Sequence, residues 1–194
     1  MYWKDEGYLL SKTNFDENSI IINAFTQNHG KYSGIVYGGS SRKQKKIFQI
    51  GNKILLNWKS KGENKMGYFN IELIKPISPL FFDDKKRSIC VLSASTILRI
   101  LLPERQINKK IYFSFERLIE QFIHDDWIKL YIYWELSLIK ELGFEISFLH
   151  DNKMQIHSNK SIDINGKYFS IPKLLLKQDN KNISNDIINE ALIF

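Results

Sequence analysis

The first 79 residues alternate between apolar and polar positions in short runs. Tyr8-Leu-Leu, Ser19-Ile-Ile-Ile-Asn-Ala-Phe-Thr and Lys31-Tyr-Ser-Gly-Ile-Val-Tyr have the period of strands that turn one face inward. Ile47-Phe-Gln-Ile, Lys53-Ile-Leu-Leu-Asn-Trp and Tyr68-Phe-Asn-Ile-Glu-Leu-Ile continue the series. Asn14-Phe-Asp-Glu-Asn and Gln27-Asn-His-Gly supply turn chemistry between the early runs. Five or six short strands at close spacing predict a small barrel, which Pro76 and Pro79 punctuate.

After Pro79 the period becomes helical. Ile89, Leu92, Thr96, Leu98 and Leu101 recur at three-to-four spacing until Pro103 stops the run. A second helix is predicted from about residue 108 to 123, with Phe115, Leu118, Ile119 and Phe122 on one face. Asp125 or Asp126 caps a third, and Gly143 ends it. Beyond it, Phe144–Phe148, Met154–His157 and Ser161–Ile164 read as extended or looped. Pro172–Lys177 reads as a helical turn and Ser184–Phe194 as a final helix. The reading is an α+β chain, with residues 1–79 a β-barrel domain and residues 80–194 a mainly α-helical domain.

On the third helix Glu135 falls at the centre of the stripe Ile128, Tyr131, Ile132, Leu138, Ile139 and Leu142. A carboxylate is costly to bury unpaired. Arg99 sits among Leu92, Thr96 and Leu102 on the first helix, so an Arg99–Glu135 ion pair between packed helices is expected. The rival reading takes this helix as apolar all round, through Tyr133, Trp134 and Leu136, with Glu135 reaching solvent at an edge.

Charge sharpens the division. The chain carries +7 over 194 residues, with a pI near 9.3. Residues 1–79 hold 12 Lys/Arg against 6 Asp/Glu, and residues 80–194 hold 16 against 15. Lys, Asn and Ile are abundant, as AT-rich coding produces, but such a bias would spread the charge more evenly. The excess on the β half favours an acidic partner for it, nucleic acid above all. Apolar residues make up 43% of the chain, enough for a real core. The charged start and the absence of a run of about 18 apolar residues read as a soluble, cytoplasmic protein. Cys90 is a lone thiol in an apolar run.

The densest chemical feature is Gly38-Gly-Ser-Ser-Arg-Lys-Gln-Lys-Lys. Arg42, Lys43, Lys45 and Lys46 follow two glycines closely, as suits a loop that neutralises several phosphates. Lys31, Lys53, Lys59 and Lys61 extend the track, and Tyr32, Tyr37 and Trp58 offer stacking faces. The plainer reading is a solvated hairpin loop with ordinary strand aromatics. No P-loop spacing is present, and no nucleophile stands with a base, so a non-enzymatic role is expected. His29, His124, His150 and His157 are scattered; only His150 and His157 could form a two-histidine metal site, and none is expected. Asp83-Asp84 and Asp125-Asp126 suit the positive ends of helices. No cofactor is implied.

The stretch from Asp16 to Lys43, with Ser19, Phe25-Thr26, the turn ending Gly30-Lys31 and the basic loop after Gly38-Gly39, resembles the RecO family of bacterial recombination mediators. Ile71-Glu-Leu-Ile-Lys-Pro resembles that family's barrel-closing segment, and Trp134-Glu-Leu-Ser-Leu-Ile-Lys-Glu-Leu-Gly-Phe its central helix. The resemblance implies an N-terminal OB fold and a helical domain. It implies binding of single- and double-stranded DNA, strand annealing, a complex with RecR, and contact with the acidic tail of single-strand-binding protein so that RecA can load. The nucleoid would then be its place when bound to DNA. Lys31, Arg42 and Lys43 match the family's basic positions; Lys45 and Lys46 extend the loop and match less closely. Tyr37 and Ser40 stand where the family often has Lys or Arg. Ile132 and Tyr133 replace arginines linked to tail binding, and His150–Asn165 lacks the four cysteines of a zinc element. The chain ends at Phe194, inside the final helical region, as a reduced or truncated form would. A protein-interaction adaptor whose barrel binds an acidic partner is the competing reading.

Overall fold

The computed structural model describes residues 1–41, 44–62 and 65–144, together with three strands beyond them. Five strands form the N-terminal part: β1 (Tyr2–Asn14), β2 (Ser19–Thr26), β3 (Gly30–Tyr37), β4 (Lys53–Lys59) and β5 (Gly67–Lys75). They close into a barrel in the order β1-β2-β3-β5-β4, the circuit of the OB fold. Every pairing is antiparallel except the short closure between β3 and β5, where Gly34 faces Gly67 and Ile35 faces Tyr68. Glycine is required there on both strands. A Cβ on Gly34 would lie 2.6 Å from the Phe69 ring, and one on Gly67 would lie 2.4 Å from Trp58. The expected barrel is therefore present.

β1 is longer than the Tyr8-Leu-Leu run suggested. Its first half pairs with β4 and its second half with β2, and a register shift between Leu9 and Ser11 makes the bend. Charged Lys4, Asp5 and Glu6 hide the first half from an apolar-run reading. Leu9, Ile20, Ile22, Ala24, Val36, Ile54, Leu56, Trp58, Phe69 and Ile71 fill the barrel from alternating positions.

Residues 47–50, read as a strand, are not one. A 3-10 turn, Gln44–Lys46, leads instead to Phe48, which plugs the core with 1% exposure. Asn52 fixes this plug. Its amide nitrogen donates to the carbonyls of Lys46 and Ile47 (3.2 and 3.1 Å), and its oxygen accepts from the amides of Ile77 and Ser78 (2.8 and 3.3 Å).

Three helices follow: α1 (Lys85–Leu101), α2 (Lys109–Gln121) and α3 (Trp127–Glu141). Asp84 caps α1 by accepting from the amides of Lys86 and Arg87. Gly143, at φ 88°, ends α3 in the left-handed conformation. The chain is thus an α+β protein, a barrel followed by helices. Contacts group it into two compact units, Met1–Tyr112 and Phe113–Phe194. In the first unit α1 packs against β1 through Val91, Ala94, Ser95 and Leu98. Ile89, Leu92 and Leu101, expected on the inner face with Leu98, are exposed.

In the second unit Phe115, Leu118, Ile119 and Phe122 are buried as expected, with Trp127, Tyr133 and Trp134. Phe122 packs on Trp127 (5.8 Å) and Phe115 on Trp134 (6.0 Å). Tyr133, Trp134, Leu136, Ser137 and Leu138 are all buried, whereas Ile128 is exposed. Glu135 is half-buried rather than at the centre of the buried face, and Arg99, in the first unit, is exposed. An antiparallel sheet follows, β6 (Ile146–Leu149), β7 (Ser161–Ile164) and β8 (Lys167–Ser170). Arg42, Lys43, His150, His157, the 154–157 segment, the 172–177 turn and the 184–194 helix lie outside the described residues.

Candidate nucleic-acid interface

Strand register sorts the candidate residues by face. On β1, β4 and β5 the odd–even alternation turns Trp3, Trp58 and Phe69 inward and Tyr2, Lys59 and Tyr68 outward. Tyr2 stands opposite Lys59, and Lys59 opposite Tyr68. Tyr68 meets the ring of Tyr37, at the end of β3, at 6.2 Å. Tyr2, Lys59 and Tyr68 form one row across three strands, and Tyr37, two residues beyond Tyr68's partner Ile35 on β3, extends it diagonally. The rings are open to water: Tyr2 is 61% exposed, Tyr37 69% and Tyr68 40%. The Lys59 ammonium lies 5.6 Å from the centre of the Tyr2 ring.

The neighbouring row is Lys4, Asn57 and Asn70. An open depression of about 440 Å³ lies between the rows, lined by Tyr2, Asn57, Lys59 and Asn70. The following row brings Glu6 and Glu72 opposite Leu55 and so bounds the cationic surface. Lys53 lies beyond that boundary, and its ammonium pairs with Glu6 at 3.1 Å. Lys61, two residues past Lys59, is exposed in the loop from β4 to β5, and Lys65 is exposed in the same loop. The Ser60 hydroxyl lies within hydrogen-bonding distance of the Gly62 and Lys65 carbonyls (2.7 and 3.1 Å), which pins that loop.

A second cationic group surrounds the 3-10 turn between β3 and β4. Lys45 and Lys46 are exposed there. Lys12, on the second half of β1, feels Lys45: burial first, then repulsion from the Lys45 ammonium, lowers the Lys12 pKa. Sequence reading missed Lys12 because the second half of β1 looked like the approach to a turn. Tyr2, Tyr68 and Lys4 were missed for a different reason: only strand register, not their neighbours in sequence, brings them beside Lys59, and a ring contact joins Tyr68 to Tyr37.

Three expected contacts are engaged elsewhere. Lys31 is 8% exposed, and its ammonium donates to the Arg99 carbonyl at 2.8 Å, with Glu104 at 3.9 Å. The physical reason is local. In α1 the amide that would serve the Arg99 carbonyl belongs to residue 103, a proline, which has no N–H. Lys31 supplies the missing donor, at the helix end where a cation is favoured. Tyr32 turns inward, packing edge-on against Trp3 (5.0 Å) and Trp58 (5.3 Å), with the Arg105 guanidinium 5.5 Å from its ring centre. Trp58 itself is 2% exposed.

His29 also belongs to this inner group. Its ring stacks on Trp3 at 4.2 Å, and its Nδ1 lies 2.9 Å from the Asp5 carboxylate. Asp5 further accepts from the Asn28 amide and side chain and from the Glu6 amide (2.7, 2.9 and 2.9 Å), so it organises the β2–β3 turn. Burial pushes its carboxyl up, but the bonds from His29, Asn28 and Glu6 together hold it below the ordinary carboxylate range.

A closed five-stranded barrel with an outward face of lysine and tyrosine, followed by helices, defines an OB-fold protein with a helical C-terminal part. Residues 1–77 match the family model "Recombination protein O N terminal", and residues 83–185 match "Recombination protein O C terminal". The chain belongs to the RecO family of DNA repair proteins. It is 31% identical to a DNA repair protein RecO of Roseobacter denitrificans over 76% of this chain and 61% of that one. A RecO of Cereibacter sphaeroides is 35% identical over 74% of this chain and 60% of the relative. A RecO of a Wolbachia strain is 34% identical over 75% and 61% respectively. The chain thus spans about three-fifths of the length of these relatives. Among the described residues, no helix is long and apolar enough to cross a membrane.

Proposed function

We propose that the chain is a recombination mediator that works without covalent chemistry. Its barrel holds single- and double-stranded DNA and brings complementary strands together. With RecR, and on DNA coated by single-strand-binding protein, it helps RecA to load, and DNA binding keeps it at the nucleoid. The observation that carries this reading is the exposed lysine–tyrosine surface on the barrel of a RecO-family chain. Lysines neutralise phosphates and release counterions, which removes much of the repulsion between two strands. Annealing needs no proton transfer or nucleophile, so the surface suffices for the chemistry proposed.

The test has two parts. Strand annealing is followed with bare DNA and with DNA coated by single-strand-binding protein; acceleration in both supports the mediator role. Binding to a short single strand is titrated against salt, for the wild type and for a variant with Arg42, Lys43, Lys45 and Lys46 changed to Glu. A wild-type slope of about −0.7 per phosphate contacted, falling sharply in the variant, is expected. Affinity that ignores both salt and charge reversal would sink this reading and leave the acidic-partner adaptor.

A further inference from the structure

We propose that the row Tyr2–Lys59–Tyr68–Tyr37 is a base-stacking track, so that this face selects unpaired nucleotides over duplex. The inference rests on the DNA-binding reading above and assigns that reading a substrate form and a set of residues.

The argument begins from what a tyrosine on a strand ordinarily does. A single exposed ring needs no explanation. Here Tyr2 and Tyr68 flank Lys59 in one outward row, Tyr37 adjoins Tyr68 diagonally, and each ring has more than a third of its surface in water. Their mutual packing is slight, since Tyr37 and Tyr68 meet at a tilt of 54° and 6.2 Å. Their neighbours are Lys59 in the row, and Lys4, Asn57 and Asn70 in the next. Neither row carries a carboxylate; Glu6 and Glu72 begin only in the third. Open ring faces beside lysines, in two rows that carry no carboxylate, are what a single strand requires: π-surfaces for its bases and cations for its backbone.

The Tyr2 side chain is already oriented. Its hydroxyl donates to the Asn57 side-chain oxygen at 3.3 Å, at the wall of the depression that Lys59 and Asn70 complete. The Lys59 ammonium, 5.6 Å from the ring centre, is held loosely enough to exchange that contact for a phosphate. Paired bases in a duplex are stacked on one another and cannot lie on a tyrosine. Duplex can use the lysines alone, so discrimination comes from the rings.

The experiment compares three ligands by fluorescence anisotropy with the full chain: an oligothymidylate, an abasic strand of equal length, and a duplex. The wild type is expected to bind oligothymidylate at least tenfold more tightly than the abasic strand. Each of Tyr2→Ala, Tyr37→Ala and Tyr68→Ala should weaken oligothymidylate binding about tenfold. Duplex and abasic affinities should stay unchanged, which also reports that the variants fold. The triple Tyr→Phe variant keeps the rings and should retain the preference. Equal wild-type affinity for oligothymidylate and the abasic strand overturns the track while leaving DNA binding intact. No binding to any of the three overturns the track together with the reading beneath it.

Discussion

Lys31→Met tests the assignment of a buried cation to structure rather than to DNA. Methionine keeps most of the stem and removes the ammonium. The lost bond to the Arg99 carbonyl is charge-assisted and short, at 2.8 Å. Such a bond contributes about 1.5–3 kcal/mol, and the carbonyl it leaves has no other donor in the helix because residue 103 is proline. The Glu104 carboxylate, 3.9 Å away and half exposed, adds only a few tenths. Relief of the desolvation of a buried ammonium works in the other direction. The net loss is about 2 kcal/mol, or roughly 4–8 °C in Tm for a chain of this size. Thermal unfolding by circular dichroism measures that loss, and a salt titration of oligonucleotide binding measures the charge contacting DNA. The salt slope of Lys31→Met should equal that of the wild type. Lys59→Met should do the reverse, with Tm unchanged and a slope shallower by about 0.7. If Lys31→Met leaves Tm alone and flattens the slope, Lys31 reaches phosphate and its structural assignment is wrong.

Asn52→Ala should destabilise by about 3 kcal/mol, because two amides and two carbonyls around the Phe48 plug lose their partner; a urea midpoint shift equivalent to less than about 1 kcal/mol would refute that count. Asp5 has a folded pKa below its unfolded value, so its stabilisation is present above the unfolded pKa and is lost as pH falls through the folded one. Denaturation between about pH 7 and about pH 3 should therefore show a steeper acid loss in the wild type than in Asp5→Asn, with the excess lying below about pH 4; parallel curves would remove Asp5 as the anchor of its turn. The expected Arg99–Glu135 ion pair is checked by a double-mutant cycle: coupling above about 1 kcal/mol supports it, and coupling near zero removes it.

The barrel was legible because its strands alternate and its turns carry Asn, Asp and Gly. The three helices were legible from their period and their caps, Asp84 and Gly143 among them. The inner face of α1 was not. Ile89 and Leu92 are as apolar as Val91 and Leu98, and only packing against β1 decides which set is covered. Phe48 misled in the same way. Ile47-Phe-Gln-Ile has strand composition, yet Asn52 bonds the backbone of Lys46 and Ile47 and folds the segment into a plug. Composition cannot report a bond made by a side chain several residues away.

Parity explains which of the candidate residues the structure leaves in water. Tyr32 and Tyr37 are five apart on one strand, so they cannot face the same way. Trp58 and Lys59 are adjacent and part for the same reason. A reading that enforced alternation would have kept Tyr37 and Lys59, dropped Tyr32 and Trp58, and looked along the partner strands for Tyr2 and Tyr68. Lys31 is the instructive exception. It shares the parity of Tyr37, which points outward, yet it is buried because the chain leaving α1 lies over it: the Arg105 amide donates to the Lys31 carbonyl at 2.8 Å, and its ammonium serves α1. The signal for that was in the sequence, since Pro103 leaves the Arg99 carbonyl without a helical donor. What the sequence could not tell was which cation would answer it. A charge count therefore overstates the free cationic surface of this barrel, since Lys31 answers a helix carbonyl and Lys53 pairs with Glu6.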